Sequence, residues 1–412
     1  MSSEKFYEIF YKTFENVKEI EYKEQKRLKQ LVNQKAIILR NAIESTDENI
    51  IKNVIDQVWK SIQETDAYNL KKGAILTRKN GTVYNIGRNL EFQYTILENK
   101  NNIYYEDWLG YVFCDYKSDY MEKNEFKNII SSKLNIKEEE IEKYWKYCKK
   151  IENKEGDVLD IQKLHRNIIL AYNEVSEITE NKDDIVISTI HKAKGKEFEN
   201  VYIDKSTEIQ QNDEDIVNYA KLLYVAITRA KEYCYKVEFE KGQNKLYYRK
   251  LNGEERQIEY YYKFRNKGKG HTKKGIGKIE IGLENDIEKT SFINDKIVGD
   301  ATQNIEYIEH MVKKGDYVDL ILEGEDYYIY HNQRKIGKMI ISDLYALAQK
   351  SLNKVSQMTY KPPKYKKVRV KRKLTIAMFQ EFIPSEIQNI YAKTGIWIGI
   401  ELEGFGNLDW NK

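Results

Sequence analysis

The first part of the chain has apolar residues at the spacing of amphipathic helices. Within residues 1–70 they recur at intervals of three and four positions, which places them on one face of a helix. The positions that follow this pattern are Phe6, Ile9, Phe10, Phe14, Ile51, Val54, Ile55 and Val58. Lys, Glu and Gln fill most positions between them. The pattern predicts a helical N-terminal segment over residues 1–70.

Short apolar runs alternate with helical patterns over residues 71–240. The runs are GAILT at 73–77, DDIVIST at 183–189, ENVYI at 199–203 and YCYKVEF at 233–239. The clearest helical patterns lie at 136–149, 158–178 and 215–230. Continuous apolar runs are typical of parallel strands that are covered on both faces. The alternation therefore predicts an α/β domain with a mostly parallel sheet over residues 71–240.

Residues 241–412 change in character towards short strands. The segments KIEIGLE, DYVDLILE and DYYIYHN predict strands, and IISDLYALAQKSLNKV predicts one amphipathic helix. This part is expected to form a β-rich C-terminal domain. The Gly- and Lys-rich segment GKGHTKKGIGK at 268–278 is expected to be a flexible linker. The alternative is a loop whose backbone contacts phosphates.

Charge and composition restrict the classes of function. The 412 residues include 69 Lys and Arg against 65 Asp and Glu, for a formal net charge of +4, so any basic surface must be local. No apolar run of about 18 residues occurs, and neither a membrane span nor a secretory signal is expected. Cys114, Cys148 and Cys234 are odd in number and far apart. They predict free thiols in a reducing cytoplasm, with no disulfide and no metal site.

A strand followed by a polar loop at 185–203 is a candidate ligand site. Thr189 and His191 follow the apolar strand, and the loop then contains Lys194, Gly195 and Glu197. Ligands of α/β sheets gather at the carboxyl ends of strands, and glycine allows the backbone to approach them closely. The alternative is that the Thr and His side chains cap the element that follows. The segment by itself leaves both interpretations open.

A second candidate is an arginine at the end of a helical pattern. The segment YAKLLYVAITRAK at 219–231 has an apolar helix face that ends at Thr228 and Arg229. An arginine held in this way can neutralise charge on a transferring phosphoryl group. The alternative is that Arg229 pairs with a carboxylate or caps the end of the helix.

Taken together, the two segments closely resemble motifs V and VI of the UvrD/Rep/PcrA helicases of superfamily 1. The family patterns are roughly T-x-H-x-A-K-G-x-E-F-x-x-V and L-x-Y-V-x-x-T-R-A. The matching positions are Thr189, His191, Ala193, Lys194, Gly195, Glu197, Phe198, Val201, Leu222, Tyr224, Val225, Thr228, Arg229 and Ala230. AILTRKN at 74–80 is similar to a strand of the same family. The resemblance implies a second RecA-like domain over residues 71–240.

The resemblance has departures as well as matches. Lys196 stands where the family often has Leu, and the segment Asn218–Lys221 lacks the acidic and arginine residues that often precede motif VI. The stretch between AILTRKN and motif V is shorter than in typical members. An inserted accessory subdomain is therefore expected to be small or absent.

The resemblance also implies roles for particular residues. In this family ATP binds between two RecA-like domains, and single-stranded DNA runs across both. Thr189, His191 and Lys194 are implied on the DNA side. Gly195, Glu197 and Arg229 are implied at the ATP site, with Arg229 as the catalytic arginine finger.

The phosphate-binding half of such a motor is missing from the sequence. No G-x-x-x-x-G-K-[ST] string occurs; Gly270 and Gly275 have the interval, but Ile276 follows where Lys is required. The resemblance implies that a preceding domain or a separate subunit carries the P-loop and holds Mg²⁺. We expect the chain to be the C-terminal part of an ATP-dependent UvrD-like DNA helicase, inactive by itself. The alternative is a non-catalytic, helicase-derived DNA-binding or interaction module.

Two segments of the C-terminal part are candidate nucleic-acid contacts. Residues 361–373, KPPKYKKVRVKRK, contain eight Lys or Arg among thirteen positions. Lys366, Lys367, Arg369 and Arg372 are expected to contact phosphates, or the run is an exposed edge strand protected by lysine. The other segment offers aromatic rings and cations to single-stranded DNA, with ordinary packing as the alternative. Its residues are Tyr327, Tyr328, Tyr330, Arg334, Lys335 and Lys338.

Overall fold

A computed structural model describes most of the chain. The described residues are 23–67, 69–88, 90, 92–97, 104–171, 185–207, 215–239, 245–251, 254–263, 273–283, 285–340, 343–350 and 361–410. The helical pattern predicted around Phe6–Phe14 lies outside these ranges. The chain divides into two compact units, each made of two separate stretches. The first unit combines Met1–Glu98 with Asp183–Lys241, and the second combines Asn99–Lys182 with Gly242–Lys412.

The described residues form twelve α-helices and seventeen β-strands. The helices are α1 Lys23–Ser45, α2 Glu48–Ser61, α3 Asn80–Arg88, α4 Asp107–Phe113, α5 Lys123–Leu134, α6 Glu138–Glu152, α7 Ile161–Ile169, α8 Ile216–Ile227, α9 Asp295–Val298, α10 Ala301–Met311, α11 Leu344–Lys350 and α12 Ile390–Thr394. The strands are β1 Gln63–Thr65, β2 Gly73–Thr77, β3 Thr95–Ile96, β4 Tyr120–Glu122, β5 Val158–Asp160, β6 Ile185–Thr189, β7 Phe198–Asp204, β8 Ala230–Val237, β9 Lys245–Leu251, β10 Glu254–Lys263, β11 Lys273–Glu280, β12 Tyr317–Glu323, β13 Asp326–His331, β14 Arg334–Lys338, β15 Lys364–Ala377, β16 Ile396–Glu403 and β17 Phe405–Asp409. Short 3₁₀ turns lie at Lys205–Thr207, Lys289–Ile293 and Gln380–Phe382.

The first unit is built on a parallel sheet. Its six strands are ordered β1-β8-β7-β2-β6-β3, and every neighbouring pair is parallel. On the central strand, Ala74 and Leu76 pack towards α1, α2 and α8, whereas Ile75 packs towards α3 on the opposite face. The sheet is therefore covered on both faces, as the continuous apolar runs predicted. The predicted α/β, RecA-like fold class is confirmed.

Two helices of this unit, α2 and α8, begin at acidic caps. The Asp47 carboxylate accepts from the amide of Asn49, 2.9 Å away, at the start of α2. The Asp215 carboxylate accepts from the amide of Asn218, also at 2.9 Å, at the start of α8. Each carboxylate satisfies an amide that has no partner inside its helix. Among the described residues, no helix combines the length and the apolar character that a membrane crossing requires.

The second unit contains a helical part and a large sheet. Helices α4–α7 surround a core that includes Trp108, Phe113, Phe126 and Trp145. The pattern at 158–178 had predicted one helix, but its first three residues form β5, which pairs antiparallel with β4. The helix begins only at Ile161, after the cap residue Asp160. A stretch inserted between β3 and β6 is present, and its described residues 104–171 contain four helices.

The large sheet has nine antiparallel strands. Its order is β14-β13-β12-β15-β17-β11-β10-β9, and β16 pairs with the other half of the long strand β15. The predicted β-rich character of this part is confirmed. The prediction of a flexible linker at 268–278 is wrong for the second half of that segment. Lys273–Glu280 forms strand β11, which is hydrogen-bonded to β10 and β17. Buried Ile276 and Ile279 explain why this Gly-rich segment is ordered as a strand.

Close contacts join the helical part to the sheet within this unit. The amide of Gly110 on α4 donates to the Thr375 hydroxyl at 2.7 Å, and a Cβ on this glycine would lie 2.5 Å from the Trp397 carbonyl oxygen. Lys373 Nζ on β15 lies 3.0 Å from the Asp107 carboxylate. Residues 99–182 therefore fold with the C-terminal sheet. This grouping differs from the domain boundaries expected at residues 70 and 240. Stretches that are distant in sequence belong to one unit because they bury shared apolar surface.

The three cysteines are separate buried thiols. Cys114, Cys148 and Cys234 are free and lie in different parts of the two cores. Burial raises the pKa of Cys114 and Cys234 to about 12, because a thiolate is poorly solvated away from water. All three therefore behave as small apolar side chains at neutral pH.

A fully buried ion pair holds one end of the large sheet. The Asp286 Oδ2 atom accepts from Arg256 Nη1 at 2.8 Å, and its other oxygen is paired with Nη2 of the same guanidinium. Oδ2 also accepts from the amides of Gly282 and Leu283, at 2.8 and 3.0 Å. The carboxylate thus connects strand β10 to the turn after β11. Neither side chain of the pair has exposed surface.

Removal of one partner of this pair is predicted to destabilise the second unit strongly. Asp286→Ala leaves a buried guanidinium without its carboxylate, and we expect a loss of about 3–5 kcal/mol in the free energy of unfolding. Urea denaturation measures the loss. Glu325→Ala is the control, because this carboxylate is 88% exposed in its pair with Lys361 and should leave the midpoint nearly unchanged. A small effect of Asp286→Ala, similar to the control, would contradict the prediction.

Candidate functional site

The loop at 190–197 connects two strands that are not neighbours. Strand β2 lies between β6 and β7, and its register pairs Thr77 with Thr189 and Gly73 with Asn200. The loop therefore leaves the carboxyl edge of the sheet at β6 and returns to the amino edge at β7. Ile190 and Ala193 are buried in the core on the face that carries α8. This packing positions the intervening polar residues at the surface.

Backbone hydrogen bonds fold the first part of this loop into turns. The Thr189 carbonyl oxygen accepts from the amide of Ala193 at 3.1 Å, and the His191 carbonyl oxygen accepts from the amide of Lys194 at 3.2 Å. The Thr189 side chain is 6% exposed, and its hydroxyl accepts from the amide of Lys192 at 3.4 Å. This contact supports the capping interpretation for Thr189. The side chains of His191 and Lys194 are exposed, and only the backbone of these residues takes part in the turns.

Gly195 has a backbone conformation that favours glycine. Its φ is +83°, and a Cβ at this position would meet no atom within 4 Å. The requirement for glycine therefore comes from the dihedral angle and not from crowding. The exposed carboxylate of Glu197 follows two residues later. Open space at this turn leaves room for a ligand beside the backbone.

Arg229 bridges the end of α8 and the loop. Its Nε donates to the Val225 carbonyl oxygen at 3.1 Å, and its Nη1 donates to the Lys196 carbonyl oxygen at 3.2 Å. Nη2 donates to the Thr228 hydroxyl, also at 3.1 Å. No carboxylate among the described residues pairs with this guanidinium, which excludes that alternative within the described part. The half-buried arginine instead caps carbonyl groups, and its own carbonyl oxygen accepts from the amide of Phe198 at 2.9 Å.

The predicted residues form two groups at opposite edges of the sheet. Thr189 and His191 lie at the carboxyl edge, where β6 ends. Glu197 and Arg229 lie at the amino edge, where Phe198 of β7 pairs with Ala230 of β8. The structure thus brings Glu197 and Arg229 together and separates them from Thr189 and His191 by the length of the strands. Lys194 and Gly195, which were predicted for different ligands, are consecutive residues of the loop between the two edges.

Two exposed cations at the carboxyl edge were missed by the sequence reasoning. Arg78 and Lys79 directly follow β2, the hydrogen-bonded neighbour of β6. They lie beside Thr189 because the amide of Ile190 donates to the Thr77 carbonyl oxygen at 2.9 Å. The sequence feature that could have indicated them is their position directly after an apolar strand. Whether that position lies beside Thr189 depends on the order of the strands in the sheet, which the sequence pattern does not show.

The basic run at 361–373 is mostly neutralised within the second unit. Arg369 forms a buried ion pair with Glu403, and Lys366 pairs with Asp409. The Arg372 guanidinium lies 3.0 Å from Glu401 and 3.7 Å from the ring centroid of Tyr104. Lys364 pairs with Asp319, Lys371 with Glu401, and Lys373 with Asp107 and Glu309.

This strand is not an edge strand. β15 is bonded to β12 on one side and to β17 and β16 on the other, so the edge-strand alternative is wrong. Lys367 is exposed at a residue with φ +57°, and no carboxylate of the described residues pairs with it. Phosphate contact by the four predicted residues stays a prediction. Their ion pairs mean that phosphate would have to displace carboxylates at three of the four positions.

The tyrosine-rich strand β13 has similar internal partners. Tyr327 is buried, and its hydroxyl donates to the Pro362 carbonyl oxygen at 2.6 Å. On the other face, Lys335 Nζ lies 4.1 Å from the Tyr328 ring centroid and 2.6 Å from the Glu323 carboxylate. These contacts support the packing alternative for this segment.

A comparison with protein families identifies the first unit's motif region. Residues 184–237 match the family model of the UvrD-like helicase C-terminal domain. The match confirms the resemblance for β6, β7, α8 and β8, which carry both candidate motifs. No curated protein matches the chain. A helicase-related function is therefore supported for the chain.

The UvrD-like segment offers cations and hydrogen-bond donors. Within the described ranges, no three His, Cys, Asp or Glu side chains are grouped so that they could hold a metal ion. The guanidinium of Arg229 is a rigid fork of donors that suits phosphate oxygens. The exposed cations at the carboxyl edge suit a polyanion. The chemistry available here is charge stabilisation and binding.

Replacement of Gly195 is predicted to destabilise the loop. In Gly195→Ala the Cβ makes the positive φ unfavourable, and we expect a loss of about 1 kcal/mol in the stability of the first unit. Gly195→Asn is the matched control, because asparagine tolerates this region better. Hydrogen exchange of peptides covering 185–204 measures the effect. Equal protection of the alanine variant and the wild type would show that the loop does not need this conformation.

Proposed function

We propose that this chain supplies the second RecA-like domain of an ATP-dependent DNA helicase motor. The observation that carries the proposal is the attachment of Arg229 to the motif V loop inside the segment that matches UvrD-like helicases. In this role the first unit forms the second wall of an ATP site, and part of the track for single-stranded DNA. The P-loop and Mg²⁺ come from another RecA-like domain, as a preceding domain or a separate subunit.

On the ATP side, Arg229 acts as an arginine finger. Its three donors are held by two carbonyl oxygens and a hydroxyl. These neutral acceptors leave the guanidinium charge uncompensated, so phosphate oxygens of ATP can replace them. Stabilisation of charge in the transition state by such a residue raises the rate by about 10³–10⁵ in phosphoryl transfer. Glu197 lies at the same edge and, with Gly195 two residues earlier in the loop, borders the nucleotide.

On the DNA side, the carboxyl edge of the sheet contacts the strand. The exposed residues Arg78, Lys79, His191 and Lys194 present cations and a ring at this edge. Cations that neutralise phosphates release counterions, which makes binding depend on salt. Separation of the two groups by the length of the strands lets nucleotide and DNA bind at the same time.

A non-catalytic DNA-binding or interaction module is the second candidate. The observation that favours it is the lack of a P-loop in the 412 residues. Such a module uses the same carboxyl edge but never completes an ATP site. The two functions differ in whether a P-loop-bearing RecA-like partner restores ATP turnover.

Loss of Arg229 is predicted to abolish turnover in the assembled motor. The measurement is ATP hydrolysis by the chain combined with a P-loop-bearing RecA-like partner, with and without single-stranded DNA. Arg229→Ala should reduce the rate by about 10³–10⁵, while the chain by itself hydrolyses no ATP in either form. Arg229→Lys should restore little activity, because an ammonium group lacks the planar fork of donors.

Lys231→Ala is the matched control for this prediction. Lys231 is an exposed cation two residues after Arg229 in the sequence. Its loss should leave ATP turnover unchanged. The Arg229→Ala chain should remain folded, with about 1 kcal/mol lost from its hydrogen bonds. Full activity of the Arg229→Ala motor would exclude the arginine-finger role. DNA binding without turnover in every assembly would favour the non-catalytic module.

A further inference from the structure

A polar cleft lies within the second unit, apart from the residues discussed above. Its volume is about 850 Å³. Three stretches form its walls: the turn at 116–120 before and into β4, the first turns of α7 at 160–166, and residues 379–381 with 393–394. These stretches belong to the helical part and to the sheet part of the same unit. The cleft therefore exists only after the two parts have packed together.

Three exposed cations in this cleft have no carboxylate partner among the described residues. Lys117, Arg166 and Lys393 are exposed, and none of them forms an ion pair with any described residue. They differ in this respect from the lysines and arginines of β15, most of which are paired. Unpaired cations around a concave surface are suited to bind an anionic ligand.

The acidic groups of the cleft are partly engaged by neutral donors. The Asp160 carboxylate accepts from the amide of Lys163 at 2.9 Å as the cap of α7, and Asp119 accepts from the Gln162 side-chain amide at 2.9 Å. With Lys163 and Glu381 included, four cations and three carboxylates line the cleft, for a formal charge of +1. Burial lowers the pKa of His165, which is therefore neutral at pH 7. The net formal charge of the cleft favours an anionic ligand, with an excess of one positive charge.

Exposed aromatic rings lie at the cleft and supply the second observation. Tyr120 is 62% exposed at the wall, and Phe379 lines the opposite side. Phe382 is outside the lining but next to it: its ring is 66% exposed, and the ring centroid lies 6.5 Å from that of Phe379. Large aromatic faces in water beside unpaired cations are the combination that binds single-stranded nucleic acid, whose bases stack while its phosphates take the charge.

We propose that this cleft is a binding site for single-stranded nucleic acid. Bases stack on Tyr120 and Phe382, and phosphates contact Lys117, Arg166 and Lys393. The site is formed by residues of the second unit and does not depend on ATP turnover. A protein ligand or a small phosphorylated molecule would use the cations without the exposed rings.

Fluorescence anisotropy of a labelled oligothymidylate of about 20 nucleotides tests the proposal on the full chain. The variant with Lys117→Ala, Arg166→Ala and Lys393→Ala should lower the slope of log affinity against log salt by about 2, at about 0.7 for each lost phosphate contact. The matched control carries Lys143→Ala, Lys146→Ala and Lys154→Ala. These three exposed cations of the same helical part lie outside the cleft, and their loss should leave the slope nearly unchanged.

Substitution of the rings tests stacking separately from charge. Tyr120→Ala or Phe382→Ala should weaken binding by about 5- to 150-fold, whereas Tyr120→Phe should bind as the wild type does. Duplex DNA of the same length should bind more weakly and should not respond to Tyr120→Ala. Unchanged binding in the ring variants, or equal losses in the two triple variants, would overturn the proposal.

A second mutant background reduces the contribution of the first unit to nucleic-acid binding. The measurements are repeated with Lys79→Ala and Lys194→Ala, which weaken the carboxyl edge. Retained effects of the cleft variants support the cleft whether or not the motor hydrolyses ATP. Complete loss of binding in this background, with no further effect of the cleft variants, would place the nucleic acid on the first unit alone and reject the cleft.

Discussion

The position of β2 between β6 and β7 is the constraint on which the candidate site depends. All three strands are parallel, and β2 bonds to both neighbours. The chain must therefore cross from the carboxyl edge at Thr189 to the amino edge at Phe198 within the loop 190–197. Burial of Ile190 and Ala193 holds this crossing on the face of α8, and Arg229 fastens its far end. Both candidate groups and their separation follow from this one arrangement.

Charge in this protein is organised by pairing more than by density. The richest basic segment, β15, is an interior strand whose cations face carboxylates of β12, β16, β17 and the helical part. Unpaired cations occur where segments with few basic residues converge, as at the cleft of the second unit. A guanidinium that caps neutral carbonyl oxygens, such as that of Arg229, keeps its charge available. The density of lysine along the sequence is therefore a poor measure of where a polyanion binds.

The motif region was predictable because its signal is local. The apolar runs of β2, β6 and β7 predict buried parallel strands, and the helicase pattern lies in two short segments, 189–201 and 222–230. The extents of α8 and α7 were less predictable. Strand β8 begins at Ala230, where the helical pattern of α8 was expected to continue. Strand β5 takes Val158–Asp160 from the start of the helix predicted at 158–178. In both cases pairing with another strand supplies the backbone hydrogen bonds. The Gly-rich segment at 273–280 became a strand for the same reason.

Periodicity and short-range spacing in the sequence are enough to predict the α/β class of the first unit, the β-rich character of the C-terminal part, and the candidate residues of the UvrD-like segment. The chain carries these signals locally. The folded structure was needed to show that residues 99–182 fold with the C-terminal sheet, that Arg78 and Lys79 join Thr189, and that Lys117, Arg166 and Lys393 surround one cleft. Such juxtapositions depend on which apolar faces bury one another and on the order of strands, and neither leaves a periodic signal in the sequence.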